Sequence, residues 1–279
     1  MRASLPKREL LEAFSEFLTV DLCRNKRTVE EKVYYAKKFL GWLKANHKSL
    51  NDVSHENVRA YLKGIDKKPT YINTLKSLKI FFRDFLKRPQ VIESFRFPKQ
   101  VFKPKIIPSK EDLCRFYTAI DSVKEKALFL LYASSGLRRM EVLDSKKSDV
   151  DLEKRIIKPN AHSGETKKAW ISFFNMETTK VLKQYLESRR DDNPKLFPMA
   201  NAQKHNLWLK AKKKTGLNIT PQRLREWFCS EMVSEGVSDS YVDAFCGRIP
   251  RSILAKHYLD YSPEKLKQIY DKANLRVLA

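Results

Sequence analysis

Tyr258 follows Arg248 by ten residues in the stretch Cys246-Gly247-Arg248-Ile249-Pro250-Arg251-Ser252-Ile253-Leu254-Ala255-Lys256-His257-Tyr258, whose later part has a helical pattern. One short segment therefore offers a guanidinium, which grips phosphate through planar paired donors, and a phenol, which can act as a nucleophile. The pairing points to chemistry on a phosphodiester. Alone it carries little weight, because the chain has 11 tyrosines and a tyrosine on a helix usually packs half-buried.

The composition narrows the partner. Lys and Arg number 56 against 33 Asp and Glu, a formal charge of +23 spread along the whole chain, with a pI near 9.8. Such an excess calls for a polyanion, and aromatic residues interleaved with the basic ones favour nucleic acid over a membrane surface. The 279 residues, 42% of them hydrophobic, suffice for two domains with real cores. The charged start, with Pro6, is unlike a signal peptide, and no apolar run approaches a membrane span, so a cytoplasmic protein is expected. The cysteines, at 23, 114, 229 and 246, are far apart in sequence, form no metal-ligand spacing and read as reduced, buried thiols.

The elements that must position these residues read as mainly α with a small β-hairpin or sheet. A first stripe joins Leu10, Leu11, Phe14, Phe17 and Leu18. A second helix is expected from Thr28, with Glu31 completing a capping box, and a third from Ser54 to about Leu62. A fourth, Thr70 to Leu86, carries Ile72, Leu75, Leu78, Phe81, Phe82 and Phe85 opposite Lys76, Lys79, Arg83 and Lys87. Together they predict a helical domain over 1–88 with a basic face. Pro89, Pro98, Pro104 and Pro108 then forbid a continuous helix, so 89–108 reads as a basic linker and 109–279 as the second domain.

That domain opens with Ser109 as an N-cap, followed by an apolar helix over 126–134 and another after Gly136. Ile156 and Ile157 form a strand, Asn160 to Gly164 a turn, and Ala169, Ile171 and Phe173 alternate with Trp170 and Ser172 as a returning strand. Helices are expected at 177–190, 205–215, 221–235, 239–246, 252–261 and 262–275.

Three stretches, in order, resemble a known family. Ser135-Gly136-Leu137-Arg138-Arg139-Met140-Glu141 is similar to the first arginine box of the tyrosine recombinases, the phage-type integrases. Thr220-Pro221-Gln222-Arg223-Leu224-Arg225 resembles their second box, with Gln222 where that family usually has histidine. Gly247-Arg248 stands where it commonly has Gly-His, and Tyr258 where it has the nucleophile. The Arg248 variant is most similar to integrases of archaeal viruses and plasmids. The likeness spans about Ser109 to Asp260, and the N-terminal helices match the family's core-binding domain in kind only.

The resemblance implies a site-specific recombinase that cleaves and rejoins double-stranded DNA through a 3′-phosphotyrosine on Tyr258. No cofactor, metal or ATP is implied, and the working form would be a tetramer of the chain on paired sites. It makes Arg138, Arg225 and Arg248 a phosphate cage, since fixed guanidinium donors suit the charge on the non-bridging oxygens. Gln222 can donate a hydrogen bond but cannot exchange a proton near neutral pH. The proton for the leaving 5′ oxygen falls to a hairpin lysine, Lys167 or Lys168, which alternate faces; Lys167 is favoured. Arg139 and Arg223 are expected to hold DNA backbone or carboxylates such as Glu141. Tyr261 and Tyr270 are competing phenols, and His162 a surface residue. The same chemistry would serve a type IB topoisomerase, and the loss of two usual histidines leaves room for a DNA-binding protein with the fold but no activity.

Overall fold

A computed structural model describes residues 6–99, 101–159, 171–248 and 252–278. The chain divides into two compact units, Met1–Lys103 and Pro104–Ala279.

In the first unit, helices α1 (Lys7–Thr19), α2 (Lys26–Ala45), α3 (His55–Lys63) and α4 (Lys68–Lys79) enclose an aromatic core. Phe14 meets Phe81 edge-on with ring centroids 5.0 Å apart, and Phe39 meets Phe82 in the same way at 5.6 Å. Helix α2 starts earlier than its capping-box pattern suggested: Asn25, not Thr28, is the N-cap, and its side chain accepts from the Thr28 N–H at 3.0 Å. Asn is the stronger cap because its short amide oxygen reaches back to the orphan donors. The chain after α4 widens into a turn over Ile80–Phe85, in which the Leu86 N–H donates to Phe81 O five residues back. Phe81, Phe82 and Phe85 all point inward, on the single face that their spacing marks out.

Part of the proline-rich stretch expected as a linker belongs to this unit. Val91 and Ile92 are buried in its core, and Arg88 ties the segment down through its two terminal nitrogens, which donate to Leu50 O and Val53 O, both at 2.7 Å.

The second unit is built around α6 (Val123–Ser135), buried on every side from Ala127 to Ser135 and packed between α8 (Met176–Ser188) and α11 (Pro221–Ser234). A helix buried all round over most of its length is a core element. Helix α5 (Lys110–Thr118) precedes it, capped by Ser109, whose hydroxyl accepts from Asp112 N. Gly136 ends α6 at φ +63°, and α7 (Arg139–Asp144) follows. Among the described residues the sheet has three short antiparallel strands, β1 (Val150–Asp151), β2 (Ile156–Ile157) and β3 (Ser172–Phe173), with Ile156 opposite Phe173 and Ile157 opposite Ser172.

Strand β1 was not foreseen, and the expected in–out alternation fails. Ile171, Ser172, Phe173 and Phe174 are all buried, and Ser172 is accommodated by donating its hydroxyl to Ser135 O at 2.7 Å. The expected helix over 205–215 is instead α9 (Asn201–His205) and α10 (Leu209–Thr215), parted by Trp208 in a left-handed conformation. Burial of the Trp208 ring, with its N–H donating to Glu125 O at 3.1 Å, holds that strained residue. The chain closes with α12 (Asp239–Phe245), α13 (Ile253–His257) and α14 (Pro263–Ala273). Beyond α14, Glu177 accepts from Val277 N and Leu278 N, pinning the last described residues. No helix among the described residues is long and apolar enough to cross a membrane.

Candidate functional site

Three arginines remote in sequence converge on one turn. Helix α12 ends in a Schellman motif: Gly247, at φ +58°, donates to Ala244 O and Arg248 to Asp243 O. The carbonyls left free in this turn receive the other two arginines. Arg225 donates to Cys246 O at 2.8 Å and Arg138 to Gly247 O at 3.3 Å.

Arg225 projects from the fifth residue of α11, whose start is fixed by Thr220 capping Arg223 N and by Pro221. Its other terminal nitrogen donates to Gly136 O at 2.5 Å, so the left-handed glycine ending α6 presents a carbonyl to the guanidinium. The residue is 5% exposed, and no carboxylate pairs with it among the described residues. Burial lowers its pKa, and Arg138 and Arg248 push the same way. A buried cation whose hydrogen bonds among the described residues go to backbone carbonyls is costly, and an arriving anion relieves that cost.

Arg138 is the N-cap residue of α7. The buried carboxylate of Glu141 accepts from its backbone N–H at 2.6 Å and from its guanidinium at 2.7 Å. Glu141 was expected to serve a neighbour such as Arg139; it instead orients Arg138, because the capping position brings residue 141 back over residue 138. Arg139 donates to Lys204 O, and its Nε is buried with no hydrogen-bond partner among the described residues. Arg223 does meet a carboxylate, that of Glu226 at 3.5 Å.

Arg138, Arg139, Lys204, Lys212, Gln222 and Arg225 line a cleft of about 220 Å³. Gln222 donates its amide to Glu226 at 3.2 Å, a carboxylate also bound by Lys105 at 2.5 Å. Lys212 lies below its ordinary pKa through burial and the adjacent Arg139 charge. Lysines 204 and 212 were not singled out in the sequence; within the run Lys210 to Lys214 nothing marks which one faces inward. Arg248 reaches Asp243 at 2.8 Å; burial opposes its charge, but Asp243 and the neighbouring thiols outweigh burial and raise its pKa.

The structure does not seat the phenol in this cleft. Tyr258, just past α13, is 76% exposed, and its hydroxyl has no hydrogen-bond partner among the described residues. The competing phenols differ sharply. Tyr270 is buried with its hydroxyl donating to Ser134 O at 2.7 Å, and burial raises its pKa. Burial likewise raises Tyr261, whose hydroxyl is enclosed beside Tyr241. Lys167, Lys168, His162 and the Asn160–Gly164 turn lie outside the described residues.

Two expectations for the thiols change. Cys23 is exposed, and Cys229 and Cys246, distant in sequence, have their sulfurs 3.4 Å apart. The spacing of Cys229 from Arg225, four residues on one helix, was the available sign that a thiol shares the arginine's face.

A helical unit with a three-stranded sheet and an arginine pair anchored between α6, α11 and the α12 turn defines the class. Residues 109–265 match the Phage integrase family, and the chain belongs to it, among the tyrosine recombinases. It is 24% identical over 285 residues to the tyrosine recombinase XerA of Pyrococcus horikoshii, covering 98% of this chain and 96% of that protein. It is 26% identical over 292 residues to the XerA of Pyrococcus furiosus, covering 99% and 97%. In fold it is similar to a lambda integrase tetramer bound to a Holliday junction, with TM-score 0.68 and 14% identity over 94% of this chain and 81% of that one.

Proposed function

We propose that the protein is a site-specific DNA recombinase that acts in the cytoplasm and cleaves and rejoins duplex DNA through Tyr258. The observation that carries this reading is Arg225: a guanidinium 5% exposed, with no carboxylate paired to it among the described residues, beside two further arginines. Such a site is made for an anion, and a phosphodiester is the anion that suits a chain of charge +23.

In the proposed reaction Arg138, Arg225 and Arg248 bind the non-bridging oxygens of one phosphate. Gln222, which lines the same cleft, adds a neutral donor. The Tyr258 oxygen gives its proton to solvent water, attacks phosphorus, and forms a 3′-phosphotyrosine bond as the bond to the 5′ oxygen breaks. Lys167 gives that oxygen its proton. Attack by a 5′ hydroxyl of a second strand reverses the step, so the phosphoester energy is kept in the covalent link and neither ATP nor a metal ion is consumed. Charge that builds on the non-bridging oxygens is stabilised by donors already in place, each contributing about 10²–10³ in rate. The exposure of Tyr258 supports its role: its oxygen is available to DNA, whereas those of Tyr261 and Tyr270 are enclosed. In the working complex four copies of the chain hold two DNA sites, with the first unit, Met1–Lys103, as the core-binding domain and the second, Pro104–Ala279, as the catalytic domain.

The test is covalent capture. Nicked suicide duplexes carrying candidate sites, resolved by denaturing electrophoresis, should give a protein–DNA adduct, with or without a chelator, and Tyr258→Phe should give none while binding DNA as before. Binding without adduct in the unaltered protein would make it a DNA-binding protein that keeps the fold without the reaction.

A further inference from the structure

Cys229 and Cys246 share the turn on which the arginines converge. Cys229 lies one helical turn after Arg225 on α11, and Cys246 caps α12 immediately before Gly247 and Arg248. Their sulfurs are 3.4 Å apart, and an Arg248 nitrogen stands 4.0 Å from the Cys229 sulfur. We propose that Cys229 and Cys246 form a reversible dithiol–disulfide site that accepts a low-molecular-weight disulfide as oxidant, and that its oxidation displaces the arginines beside it.

The geometry favours Cys229 as the attacking thiol. It is partly exposed, whereas Cys246 is buried. The hydrogen bond between the two thiols, with the Arg248 and Arg225 charges, lowers the pKa of Cys229 against its burial, while the same bond and burial raise that of Cys246. An electropositive, accessible thiolate is the reactive kind. The Cys229 thiolate attacks one sulfur of the oxidant, forming a mixed disulfide and expelling one thiolate. Cys246 then loses its proton and attacks the Cys229 sulfur, expelling the second. Two protein thiols and one small disulfide become one protein disulfide and two small thiols.

A disulfide requires about 2.05 Å between sulfurs, so the pair must close by more than 1 Å. Because Cys246 O accepts from Arg225 and Gly247 O from Arg138, that closure shifts the carbonyls that hold both guanidinium groups. A displacement of about 1 Å at such a site is worth roughly 10² in rate. The thiol chemistry stands apart from the recombinase reading; its effect on cleavage rests on it.

The full chain is incubated with oxidised or with reduced glutathione, alkylated and digested with trypsin. No Lys or Arg lies between Glu226 and Arg248, so one peptide carries both cysteines. After oxidation that peptide should be unalkylated and two hydrogens lighter, while the exposed Cys23 reports that oxidant reached the protein. Alkylation of both cysteines, or a lasting glutathione adduct on Cys229, would overturn the dithiol site whatever the enzyme does. In the suicide-duplex assay, oxidation should slow adduct formation tenfold or more and dithiothreitol should restore it. Cys229→Ala, compared with its own reduced form, should show no such loss. A disulfide that forms without changing the rate would overturn the coupling to the arginines.

Discussion

At the residue scale the site is three arginines in different electrostatic circumstances. Arg138 leans on the buried Glu141 carboxylate, Arg248 on Asp243, and Arg225, among the described residues, on two carbonyls. The first two are positioned with part of their charge answered; the third keeps a full charge in a buried place, where a hydrogen bond to a charged group is worth about 1.5–3 kcal/mol. None of these is a proton donor at neutral pH, so the proposed reaction assigns protonation of the leaving 5′ oxygen to a hairpin lysine. Lys167→Ala is expected to slow cleavage of an ordinary phosphodiester and to recover most of its rate when sulfur replaces the leaving 5′ oxygen, since a thiolate departs unprotonated. Timed single-turnover cleavage of the two substrates measures this, and recovery by Lys168→Ala alone would move the role to the other face of the strand.

At the element scale the ends of helices build the site, and Gly136 shows how tightly. Its φ of +63° ends α6, its carbonyl holds Arg225, and a Cβ there would stand 2.4 Å from a ring carbon of Phe228 on α11. Gly136→Ala is therefore expected to cost about 2–4 kcal/mol, from left-handed strain and overpacking together. Thermal denaturation would show a lower midpoint, and an unchanged midpoint would mean that α11 is free to shift. Most helices were legible because their apolar spacing is strong, as in the Leu10, Phe14, Leu18 stripe, and because caps such as Ser109 and Thr220 are local signals. Strand β1 was not, for two residues carry no period. The widened turn at Ile80–Phe85 and the break at Trp208 answer to tertiary packing of aromatic rings, which no local pattern records. The boxes placed Arg138 and Arg225 in sequence, but the meeting of Cys229 with Cys246, and of Arg139 with Lys204, depends on how helices cross.

At the scale of the whole molecule, charge bears on the partner, and the proposed reaction rests on the Tyr258 oxygen. An excess of +23 distributed over both units implies many phosphate contacts. If roughly six to ten form, DNA affinity should fall about 10³–10⁵-fold between about 50 and 200 mM salt, as read by titrating a labelled duplex; a flat response would contradict the electrostatic account. The measurement that bears most directly on the central claim is the identity of the linked residue. The covalent adduct, trimmed with nuclease and digested with trypsin, yields the peptide His257 to Lys265, which carries both Tyr258 and Tyr261. Fragmentation by mass spectrometry should place a phosphate, joined to the 3′ end of the cleaved strand, on Tyr258. A link on Tyr261, on any other residue, or through a 5′ phosphate would contradict it.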